Sequence, residues 1–146
     1  MTTLFTLAVL AGAAIAVQAG MNAQLGVMLR SPLLASCIAF SLGALFTALV
    51  LLVSGRAQPT VDVARSVPGW LWFGGVFSAL GVGLFYYLIP RMGVGPMMSV
   101  AVSSQLLIGV LASHFGWFEL PVRTFDASRA FGLCALAVGV IFINGS

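Results

Sequence analysis

No charged side chain occurs before Arg30, and uncharged, mostly apolar stretches recur at 31–55, 66–90, 92–118 and 130–146. A helix that crosses a bilayer needs about 20 predominantly apolar residues. In hydrocarbon every backbone amide must also find its partner inside the segment. The few charges cut the chain at lengths that meet this requirement. They predict five transmembrane helices, at about 3–25, 32–53, 68–89, 96–114 and 127–143. The expected fold class is all-α, a polytopic helix bundle forming a single transmembrane domain over 1–146.

Six arginines, three acids and one histidine cannot coat a water-exposed surface for 146 residues. Only 6% of the chain is charged, against about a quarter in a soluble domain. The surrounding solvent is therefore expected to be the lipid bilayer. The net charge of +3, with no lysine, is too small to be the footprint of a nucleic-acid binder. Cys37 and Cys134 each fall within an apolar run, without the clustered ligands of a disulfide framework or a zinc site. Enzymatic chemistry also lacks parts. There is no phosphate loop, no metal cluster and no cofactor motif, and no acid adjoins His114. A cleaved signal peptide is disfavoured, because no basic residue precedes the long first stretch.

The connections carry helix punctuation. Ser31 and Pro32 read as an N-cap followed by proline at the first helical position. Pro68 and Pro96 suit the same role, and Asp126 can cap the fifth helix. The segment 54–67 is the longest polar link. Arg56, Arg65, Arg123 and Arg129 fall on the side of the N-terminus, with Arg30 and Arg91 opposite. Four against two favours a cytoplasmic N-terminus by a narrow margin and leaves room for insertion in both orientations. One five-helix chain supplies half of an inverted-repeat transporter plan. A complete cavity then needs a second chain.

Small residues recur at packing spacing: Ala8, Gly12, Ala16 and Gly20 on the first helix, Gly75, Ala79 and Gly83 on the third, and Ala135 with Gly139 on the fifth. Such stripes serve packing within one subunit or a dimer seam. Gln18 and Asn22 lie four residues apart on one face of the first helix, nearly opposite its glycine stripe. They are expected to face the protein interior or a wet cavity, either as interhelical hydrogen-bond partners or as substrate contacts. The fourth helix carries Ser99, Ser103, Ser104 and Gln105, with His114 near its end as a candidate proton relay or an interfacial residue. Its serines are expected to bond back to their own helix. Trp70, Trp72, Phe73, Tyr86, Tyr87, Trp117 and Phe118 occupy helix ends, as in interfacial aromatic belts. Asp62, Glu119 and Asp126 all lie outside the predicted spans. A proton antiporter built on a membrane carboxylate is therefore disfavoured.

Several segments resemble the YdcZ-like family of small bacterial inner-membrane proteins in the drug/metabolite transporter superfamily. These are Asn22-Ala23-Gln24-Leu25-Gly26, Ser31-Pro32-Leu33-Leu34-Ala35 with Phe40 and Gly43, Trp70-Leu71-Trp72-Phe73-Gly74-Gly75 and Pro90-Arg91-Met92-Gly93-Val94. The most specific is Gln105-Leu106-Leu107 followed by Ser113-His114-Phe115-Gly116 and Leu120-Pro121. The sequence departs from the pattern at Ser113, where an acid is common, and in its closing Asn144-Gly145-Ser146. The resemblance implies a transporter-type subunit in the bacterial inner membrane. It also implies pairing with a second copy or a homologous chain, in antiparallel fashion. The expected cavity lies between the first, third and fourth helices. Gln18, Asn22, Ser103 and Gln105 supply its polar contacts and Tyr86 its lining. An uncharged or zwitterionic metabolite or a small organic cation is the expected substrate. The competing class is a non-transporting assembly or regulatory subunit of a larger membrane complex.

Overall fold

The structure is a computed structural model that describes residues 2–55, 59–119 and 121–145. Arg56, counted above for orientation, Leu120 of the family motif and Ser146 lie outside the described residues. The chain is all-α, with no strand among the described residues. Five helices are long and apolar enough to cross a membrane. They are α1 (Thr2–Met28), α2 (Pro32–Val53), α4 (Gly74–Met92), α5 (Val94–Phe115) and α6 (Ala127–Asn144). A short helix, α3 (Val61–Ser66), sits in the link before α4. Two 3₁₀ turns, Gly69–Phe73 and Trp117–Glu119, complete the order.

The expected caps form. The Ser31 side chain accepts from the Leu34 N–H at 3.1 Å, with Pro32 as the first helical residue. Asp126 Oδ1 accepts from the Arg129 N–H at 2.9 Å. Elsewhere the boundaries differ for local reasons. α1 runs three residues beyond the expected Leu25 and ends in a hydrogen-bonded cap: Arg30 N–H donates to Val27 O at 3.1 Å and Ser31 N–H to Gly26 O at 2.9 Å. Arg30 takes the left-handed conformation this cap requires (φ 53°). α5 begins at Val94, because Gly93 at φ 88° turns the chain before Pro96. Pro96 then falls in the first turn, where its missing N–H has no intrahelical partner to lose. Pro68 precedes a 3₁₀ turn, so the regular part of the third span starts only at Gly74. The polar link contains α3, capped by Thr60.

The chain divides into two compact units, one ending at Arg91 and the other starting at Met92. In the first, the buried residues gather at the end that carries the α1–α2 turn. They are Ala19, Ala23 and Gly26 of α1, Ala35 and Ser36 of α2, and Tyr86 and Ile89 of α4. Gly26 is the close approach. A Cβ there would stand 3.3 Å from Pro32 Cα and 3.5 Å from Ala35 Cβ. In the second unit α5 packs on α6 and on the 3₁₀ turn after it. Most large apolar side chains stay exposed, as expected where lipid or a partner is the neighbour.

Candidate functional site

Three polar residues of the first unit, Gln18, Asn22 and Tyr86, form a closed hydrogen-bond ring. One turn of helix separates Gln18 from Asn22, so both reach the same face of α1. Asn22 Nδ2 donates to Gln18 Oε1 at 2.9 Å and to the Tyr86 hydroxyl at 2.9 Å. The Tyr86 hydroxyl in turn donates to Gln18 Oε1 at 3.3 Å. The ring therefore ties α1 to α4 across 64 residues of sequence. Both Asn22 N–H groups are used, while Asn22 Oδ1 and Gln18 Nε2 keep capacity beyond the ring. Tyr86 is 1% exposed, Asn22 half-buried and Gln18 exposed. Burial takes Tyr86 out of the interfacial belt in which its position near a helix end had placed it. Tyr87, Trp70 and Trp72 stay exposed, as belt residues do.

Just beyond the ring lies a groove of about 210 Å³, lined by Gly26, Val27, Arg30, Pro32, Tyr86, Pro90 and Arg91. Two arginines that sequence reasoning had assigned only to topology thus share one concavity. Arg91 lies 3.7 Å over the Tyr87 ring and donates to the Tyr87 carbonyl. The signal for this groove was the shortness of the two turns, which holds Arg30 and Arg91 at the same end of their helices.

The glycines split. A Cβ at Gly83 would come 3.7 Å from Ser36 Oγ, and Gly83 also lines an apolar groove with Pro32, Leu33, Ala79 and Tyr87. Gly12 and Gly75 meet nothing within 4 Å, and Gly20 is half-buried. Within this unit the buried small residues of α1 are Ala19, Ala23 and Gly26, a run that sequence reasoning passed over, and the close approach is at Gly26.

In the second unit Ser99, Ser103 and Ser104 each donate to a carbonyl of their own helix, as their type predicts. Ser103 and Ser104 line an apolar groove between α5 and α6, together with Leu107, Leu133, Cys134 and Ala137. Gln105 is exposed on α5. Ser99 Oγ also accepts from Asn144 Nδ2 at 2.9 Å, which fastens the end of α6 to the start of α5. His114 is likewise exposed, and its Nδ1 accepts from the Phe125 N–H at 3.1 Å. The returning loop is held again where Arg129 donates to the Arg123 and Thr124 carbonyls at 2.7 and 2.8 Å. The imidazole thus holds the backbone at the α5–α6 link and uses an unprotonated nitrogen to do so.

No curated protein and no solved structure matches the chain. Residues 3–142 match the family model described as "Putative inner membrane exporter, YdcZ". Five apolar helices, a span free of carboxylates and a polar ring joining two of those helices agree with that description. The chain is a multi-pass inner-membrane protein and belongs to the YdcZ family of the drug/metabolite transporter type.

Proposed function

We propose that the chain is one subunit of a dimeric small-molecule exporter and that the Gln18–Asn22–Tyr86 ring is its principal substrate contact. The ring carries the proposal, because its members are two amides and a phenol from two membrane spans and two of their polar groups have unused hydrogen-bonding capacity. An acceptor at Asn22 Oδ1 and donors at Gln18 Nε2 suit an uncharged or zwitterionic metabolite or a small organic cation better than a hard ion. Ser103 and Gln105 are proposed to contribute further contacts, and His114 a proton. Gly12, Gly20, Gly75 and Gly83 are proposed as packing or seam positions. The open space around Gly12 and Gly75 supports their use by a second chain. With five spans the termini fall on opposite sides of the membrane, which supports an antiparallel pair as the way to build an inverted repeat.

The test is Asn22→Leu in proteoliposomes loaded with a panel of labelled zwitterionic and neutral metabolites and small organic cations. Loss of the transport seen with the wild type is expected, with insertion and dimerisation intact. Wild-type flux through the variant removes Asn22 from the site. Single-cysteine labelling of both termini and of the Arg91 turn, in a cysteine-free background, tests the pairing. A mixed population supports the antiparallel dimer, and a uniform orientation rejects it.

A further inference from the structure

We infer that the groove between the α1–α2 turn and the end of α4 is a phosphate-binding site formed by Arg30 and Arg91. Both guanidinium-bearing residues line one concavity of about 210 Å³, and no acid lines it with them. The only acid in the first 91 residues is Asp62, in α3 beyond the far end of α2. A helix of 22 residues spans about 33 Å, so Asp62 cannot neutralise the pair. Two arginines lining one groove without an acid leave it positively charged, and an anion from outside is attracted to it. Arginine's planar fork is the side chain best matched to phosphate oxygens.

Arg30 supplies a second, independent observation. It occupies the left-handed position of the α1 cap, φ 53°, where glycine is the usual residue. A side chain there costs roughly 1 kcal/mol. Yet among the described residues Arg30 makes no side-chain hydrogen bond or ion pair, so the fold gains nothing visible from its guanidinium. Topology alone accounts for an arginine in a turn, but not for two that line one groove beside Tyr86 and Pro90. The groove opens at a helix end, the depth at which phospholipid phosphates lie. A phosphodiester headgroup is therefore at hand, and a free phosphate-bearing solute offers the same chemistry. This inference does not depend on what the subunit transports.

The experiment is a titration of the purified full-length protein, in an uncharged detergent, with phosphatidylglycerol and separately with inorganic phosphate. Bound lipid is counted by native mass spectrometry. The wild type is expected to retain the lipid, and Arg30→Gly with Arg91→Gln to weaken retention at least tenfold. Arg65→Gln, at the opposite end, should leave retention unchanged. Arg30→Gly alone relieves the backbone and stays folded, so it carries the test if the double variant does not fold. Lipid retention that millimolar phosphate fails to displace identifies the headgroup as the ligand. Displacement of the lipid, or stabilisation by phosphate alone, identifies a free phosphate group. Equal retention by wild type and both variants, with no effect of inorganic phosphate, overturns the site.

Discussion

The hydrogen-bond ring makes a quantitative prediction that is independent of transport. Tyr86→Phe keeps the ring volume at a position that is 1% exposed and deletes only the hydroxyl. That hydroxyl accepts once, from Asn22, and donates once, to Gln18. Interhelical side-chain hydrogen bonds in membranes average about 0.6 kcal/mol and reach about 1.7. The substitution is therefore expected to cost about 1 kcal/mol of unfolding free energy. Asn22→Ala removes its bonds to both Gln18 and Tyr86 and should cost a similar amount. The two losses share the Asn22–Tyr86 bond, so a double-mutant cycle should give a coupling energy of about 0.6–1.5 kcal/mol. The assay is reversible unfolding in bicelles, followed by the fluorescence of the three tryptophans. Coupling below about 0.3 kcal/mol, the limit for independent sites, would mean that the two side chains do not share a bond and that the ring is not closed through Asn22.

Substitutions at four further positions separate the local arguments. Gly26→Val places carbon against the Pro32 backbone at 3.3 Å, where nothing flexible yields, and should destabilise the α1–α2 hairpin by about 1–3 kcal/mol in the same unfolding assay. Gly12→Ala meets open space and should leave monomer stability equal or higher by up to about 1 kcal/mol. If Gly12 belongs to a dimer seam, the larger Gly12→Leu lowers the dimer fraction in cross-linking without changing monomer stability. Asp126→Ala deletes the α6 cap and should cost about 1 kcal/mol. Its readout is faster amide exchange confined to the first turn of α6. His114→Ala releases the Phe125 amide, and hydrogen exchange there should quicken while the amides in the middle of α5 stay protected.

The spans were legible because lipid imposes a length and a near absence of charge, and both are written along the chain. The caps at Ser31 and Asp126 were legible because each depends on a residue and its immediate successors. What escaped depended on residues far apart in the chain. Small residues mark several faces of α1, and only the shape of Pro32 and Ala35 selects Gly26 for the tight contact. Tyr86 looked like a belt residue because the third span was expected to end at Ile89. The helix continues to Met92, which sets Tyr86 more than a turn inside it. The amide pair was readable from its spacing, but its partner hydroxyl lies 64 residues on. Arg30 and Arg91 were counted as topology signals because nothing in a linear count brings two distant turns into one groove.

The Gln18–Asn22–Tyr86 ring also constrains how the chain is made. α1 leaves the ribosome before α4, and the tyrosine that closes the ring follows only with the third span. Until then the two carboxamides of the first span have only each other, and the second Asn22 N–H lacks its acceptor, an arrangement that lipid disfavours. α1 and α2 would then be expected to stay beside the protein-lined insertion channel until α4 arrives. Release into the bilayer becomes a joint event for three helices, and a chain cut before Tyr86 leaves its first helix incompletely satisfied, a target for quality control.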